Sequence, residues 1–205
     1  MLPFSLLYLF SDFVYLIVYY VIGYRKKTVR ENLALAFPNL SAAERLVIEK
    51  KSFQHLCDIF LEMIKTITIS NKEINKRFVF TNLEVYKNLE EKQKSIAIMM
   101  AHYASYEWAV SLNLKVNIEG YAIYKKLSNP YFDKLVRDIR SRFKANLITN
   151  KETIPIIIEN NKNKKICAYG FASDQSPRIN SVFPNSPSSF LSFVYPPSNL
   201  ITLLT

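Results

Sequence analysis

The chain has 205 residues, which suits one domain with a real core and a membrane appendage. Its 49% hydrophobic and 21% charged residues exclude long disorder, and two cysteines, Cys57 and Cys167, far apart and outside any CxxC spacing, exclude a disulfide framework and speak against a zinc site. The net charge of +10 calls for a polyanionic partner, whether nucleic acid, anionic lipid or an acidic carrier protein, without choosing among them.

Residues 2–22 form an apolar run interrupted only by Asp12, about the length that crosses a bilayer core as a helix. Tyr8, Tyr19, Tyr20 and Tyr24 suit the interfaces, and a basic flank follows: Arg25, Lys26, Lys27 and Arg30. No Lys or Arg precedes the run, so the positive-inside rule places the rest of the chain in the cytoplasm. The charge order is the reverse of a signal peptide's. Spanning is the first reading. A helix lying flat in the interface is the second, because Asp12 is costly at mid-bilayer.

Next, Ser41 and Glu44 give a capping-box pattern that predicts a helix start. Phe53, Leu56, Cys57, Phe60 and Ile64 recur at helical spacing over residues 51–65. From residue 95 the pattern changes. Residues 95–101 (SIAIMMA) predict a buried strand, and residues 119–124 and 166–172 predict two more. Asn129 and Pro130 open a helix as N-cap and first turn, with Phe132, Leu135, Val136, Ile139 and Phe143 on its buried face and Arg137 and Arg140 off it. Strands alternating with helices predict an α/β fold: an N-terminal membrane helix, a helical segment, then a mixed, mainly parallel sheet with flanking helices. The domains are a membrane anchor at 1–24, a catalytic domain at 25–177 and an atypical tail at 178–205. That tail has six Ser, four Pro and only Arg178 charged, with no helical or strand period, and reads as a shifted or truncated frame.

The strongest local signal is residues 101–109, AHYASYEWA. His102 follows the first strand, and Glu107 follows five residues later. On a helix five residues turn about 500°, so the two meet only if His102 sits on the turn and Glu107 on the first turns of a helix. A neutral imidazole there can take a proton from a hydroxyl, while a carboxylate on its other nitrogen fixes the tautomer. The competing reading is a structural histidine, which is the reading adopted for His55, the only other one. Asp174, in SDQSP, lies after another strand candidate and near His102 if the strands are neighbours. A turn aspartate is the alternative. Lys125, Arg140 and Arg142 are candidates to hold phosphate or an acidic carrier, against the plainer reading of a solvated helix face. No metal-ligand cluster or cofactor motif is evident.

At RENLALAFPNLSAAER (30–45), TNLEVYKNL (81–89), AHYASYEW (101–108), YKKLSNPYFDKLV (124–136), RSRF (140–143) and the DQ of SDQSP, the chain resembles the bacterial lipid A biosynthesis (lauroyl/myristoyl) acyltransferase family over roughly residues 1–177. The resemblance implies a glycerolipid-acyltransferase-like fold, a single N-terminal anchor in the inner membrane and a catalytic domain on the cytoplasmic face. It implies transfer of a fatty acyl group from acyl carrier protein, or coenzyme A, to a glycolipid hydroxyl, with no cofactor. His102 matches the family's catalytic histidine, Glu107 its acidic partner, Asp174 the downstream acid, and Arg140 and Arg142 the basic pair. Lys125 stands where arginine is usual and loses its forked geometry. Lys144 stands where glycine is common. The family continues well beyond the DQ motif. The alternatives are an acyltransferase for another phospholipid or aminolipid, and an inactive membrane-binding remnant. Nucleic-acid binding is least compatible, since the basic residues form no recognised module.

Overall fold

The computed structural model describes residues 3–174. The chain divides after Ile69 into two compact units, Met1–Ile69 and Ser70–Thr205. The atypical stretch at 178–205 lies outside the described residues.

The first unit is helical. Helix α1 (Phe4–Leu16) continues as a π-helical stretch (Ile17–Ile22), which Gly23 ends at φ +65, a left-handed backbone that glycine adopts without strain. Helix α2 (Lys26–Ala36) follows, then α3 (Ala42–Lys65). The start of α3 is the predicted one. Ser41 accepts from the Glu44 amide while the Glu44 carboxylate accepts from the Ser41 amide, closing both halves of the capping box. Phe53, Cys57 and Leu61 of α3 are buried, and the Tyr19 ring meets Phe53 edge-on at 5.2 Å. Glu49, buried, accepts from Tyr19 Oη at 2.8 Å and from Arg30 Nε at 2.8 Å, so its charge is paired.

The second unit opens with α4 (Asn71–Arg77) and α5 (Leu83–Glu91). Strand β1 (Ile96–Met100) leads into a 3-10 helix (Tyr106–Leu114), then β2 (Glu119–Tyr124), α6 (Pro130–Ser141), β3 (Asn146–Thr149), α7 (Thr153–Lys162) and β4 (Cys167–Ala172). The sheet order is β1-β4-β2-β3, and every described pairing is parallel. The α/β expectation holds, with the three predicted strands in place. Parallel pairing buries both faces of the sheet. On one face Ile96 and Ala168 pack with Tyr86, Leu112 and Val116. On the other Cys167, Tyr169 and Ile148 pack with Ile156 and Ile157. β4 thus sends alternate residues to two cores, as the period of two requires. Asn129 caps α6, accepting from the amides of Tyr131 and Phe132, and Pro130 occupies its first turn. Val136, Ile139 and Phe143 are buried as predicted, but Phe132 is exposed.

Candidate active site

The site follows from the register of two strands. Met100, the last residue of β1, pairs with Ala172, the last of β4. Two residues further on, each chain carries a functional group: His102 on one and Asp174 on the other. The chains stay together past the final pair, because the Ser173 amide donates to the Met100 carbonyl at 3.0 Å. The His102 amide donates to Asp174 Oδ2 at 3.0 Å, and His102 Nδ1 lies 2.6 Å from Asp174 Oδ1. An ionised carboxylate only accepts, so Nδ1 carries a proton, and in a neutral imidazole Nε2 is then the acceptor. Burial pushes the Asp174 carboxyl up, but the bonds from the His102 ring and amide outweigh it and hold the group below its ordinary value. The two side chains are 33% and 27% exposed, which leaves them open to a reactant. The Tyr106 ring stands edge-on to the imidazole at 4.7 Å.

Glu107 takes a different place. The loop after β1 passes through Ala104 at φ +48, then enters the 3-10 helix with Glu107 in its first turn. Its carboxylate is buried and faces α6, where Arg140 grips it with both arms of the guanidinium: Nε to Oε2 at 2.7 Å and Nη2 to Oε1 at 2.5 Å. The expected hydrogen bond from the His102 ring to Glu107 is therefore replaced. A forked, charge-assisted pair takes both carboxylate oxygens, while His102 stays at the strand end beside Asp174. Arg140, a candidate to hold phosphate or an acidic carrier, is turned inward to Glu107 and does not lie on a solvated face of α6. Burial works against its charge, and the bonds to Glu107 more than offset this. Tyr106 lies beside the pair, its phenol pushed up to about 12 by burial and then by the Glu107 charge.

Lys125 and Arg142 are exposed, one just after β2 and the other at the end of α6. The Arg142 guanidinium lies 5.5 Å from the centre of the Phe143 ring. The loop that carries Lys125 is tied to α6, because buried Asp133 accepts from the Leu127 amide at 2.8 Å. Sequence reasoning missed Tyr106 and Asp133. Their signals were only adjacency to Glu107 and an acid in the first turn of α6.

An imidazole open to solvent at the carboxyl end of a parallel sheet stands where ligands of such sheets bind, and its chemistry can take up a proton there. A comparison with curated proteins finds no match. The family model for bacterial lipid A biosynthesis acyltransferases matches residues 1–183. With that match over most of its length, the chain belongs to the bacterial lipid A biosynthesis acyltransferase family.

Proposed function

We propose that the protein moves a fatty acyl group from acyl carrier protein to a hydroxyl of a lipid A precursor, with His102 as general base. Nε2 takes the proton of the acceptor hydroxyl as its oxygen bonds to the thioester carbonyl carbon. The tetrahedral intermediate then collapses. The carbon–sulfur bond breaks, and the proton passes from Nε2 to the leaving thiolate. Asp174 holds the ring and stabilises the imidazolium formed between the two transfers. Glu107 is a positioning residue. By fixing Arg140 it braces the loop that carries His102. Lys125 and Arg142 are candidate cations for phosphates of the acceptor or the acidic carrier.

The observation that supports this reading is the bond from His102 Nδ1 to Asp174, which leaves Nε2 as the acceptor of a neutral ring. The basic flank after the apolar N-terminal helix favours work at the cytoplasmic face of the inner membrane. The test is an acyl-transfer assay in membranes with labelled acyl carrier protein and a lipid A precursor. The chain is expected to transfer the label and the His102→Ala variant to leave it on the carrier. Equal transfer by both would sink the base assignment.

A further inference from the structure

Asp174 holds the His102 ring by one atom. The bond at Nδ1, 2.6 Å from Asp174 Oδ1, selects the protonated nitrogen, and the bond from the His102 amide to Oδ2 holds the backbone beneath it. Neither fixes the plane of the ring. The last torsion of a histidine side chain is broad, so an imidazole tied at one nitrogen still swings unless something packs against it. The side chain is 33% exposed, and water supplies no wall on that side.

Tyr106 supplies one. Its ring centre lies 4.7 Å from that of the imidazole, with the two planes at 69°, the edge-to-face arrangement that aromatic rings favour. The contact is built by the loop itself. The Tyr103 amide donates to the Ala101 carbonyl at 2.8 Å, the chain passes Ala104 at φ +48, and the Tyr106 amide donates to the Ala104 carbonyl at 2.9 Å. These tight turns bring residue 106 back against residue 102. Tyr103, the sequence neighbour of His102, is left 83% exposed.

The far end of the Tyr106 ring is held as well. Its hydroxyl lies within hydrogen-bonding reach of the Glu107 carboxylate and the Arg140 guanidinium. Burial and the Glu107 charge push the phenol up to about 12, so it keeps its proton and can donate it. The ion pair it meets is itself sheltered, with side chains 6% and 19% exposed. A ring fastened to the backbone at one end and to a sheltered ion pair at the other cannot swing away from the imidazole.

We propose that Tyr106 is a positioning residue, whose ring fixes the plane of the His102 imidazole and so aims Nε2 at the acceptor hydroxyl. The inference rests on the base assignment made above and adds what aims that base. A proton acceptor misplaced by about 1 Å loses about 10²-fold in rate, while substrate binding elsewhere is untouched.

The test compares Tyr106→Phe, which keeps the ring, with Tyr106→Ala, which removes it. Both are made in the full chain and assayed in membranes with labelled acyl carrier protein and a lipid A precursor. Tyr106→Ala is expected to lower kcat about 30- to 100-fold with KM for each substrate within about twofold, and Tyr106→Phe to keep about a third of kcat or more. Equal losses in the two variants, an unaltered kcat in Tyr106→Ala, or a loss that falls on KM overturns the proposal. Proton NMR of the full chain separates this failure from failure of the base assignment. Cross-relaxation between the ring protons of Tyr106 and His102 is expected in the unaltered chain, and the Nδ1 proton is expected to exchange with water about tenfold faster or more in Tyr106→Ala. Absence of that cross-relaxation, or equal exchange in both, overturns the proposal whether or not the chain transfers acyl groups. A chain that shows the ring contact but transfers nothing refutes the base assignment, and with it the aim given to Nε2.

Discussion

Asp174 and Glu107 are both carboxylates close to the end of β1, and they live in different worlds. Asp174 is reached across the sheet, is partly open to solvent and bonds the imidazole. Glu107 is reached along the chain, is buried and bonds a guanidinium. The first arrangement orients an imidazole, and the second fastens a loop to a helix. Proximity in sequence thus selected the brace, whereas strand register selected the group that touches the histidine.

The two roles predict opposite signatures. Asp174→Asn carries the largest expected catalytic effect. The amide cannot accept from both the ring and the backbone of His102, so turnover in the acyl-transfer assay should fall about 10²- to 10⁴-fold with the melting temperature little changed. Arg140→Ala should do the reverse. It strands a buried carboxylate, and thermal or urea unfolding should show a loss of about 3–5 kcal/mol. If Asp174→Asn unfolds the protein and Arg140→Ala does not, the assignment of roles is inverted.

A subtler effect follows from titration. The Asp174 carboxyl is held below its ordinary value by its bonds to His102. A carboxyl depressed in the folded state stabilises it above the unfolded value, and that contribution fades as pH falls through the folded one. Carbon NMR of Asp174 should therefore give a midpoint below that of a free aspartate, rising in His102→Ala. A midpoint unchanged by that substitution would uncouple the pair. The smallest effect concerns Lys144, which sits at φ +61 just after α6. Glycine adopts that backbone freely, so Lys144→Gly should stabilise by about 0.5–1 kcal/mol in denaturant unfolding.

Much of the frame was legible because its signals are local. The Ser41–Glu44 box, the Asn129–Pro130 start and the apolar runs at β1, β2 and β4 are each settled within a few residues. β3 and α7 were not read. β3 has only four residues, and the run of Ile154, Ile156, Ile157 and Ile158 in α7 is interrupted by Pro155 and has no clear stripe. A usable signal stood beside them. Thr149 and Glu152 repeat the capping-box spacing, and their side chains bond each other's amides at 3.4 and 2.9 Å. The site was half legible. His102 and Asp174 could each be placed at a strand end, but their pairing depends on the β1–β4 register across 72 residues. No local pattern encodes that register. The helical stripe of α3 hid a further division. Phe53, against the Tyr19 ring, and Cys57 are buried, while Leu56, Phe60 and Ile64 are exposed.

The most direct test of the account is nitrogen NMR of the His102 imidazole, in the unaltered chain and in Asp174→Asn and Glu107→Gln. The account predicts a strongly hydrogen-bonded Nδ1 proton with an unprotonated Nε2, lost in Asp174→Asn and kept in Glu107→Gln. A proton that survives Asp174→Asn and disappears in Glu107→Gln would contradict it and return Glu107 to the histidine.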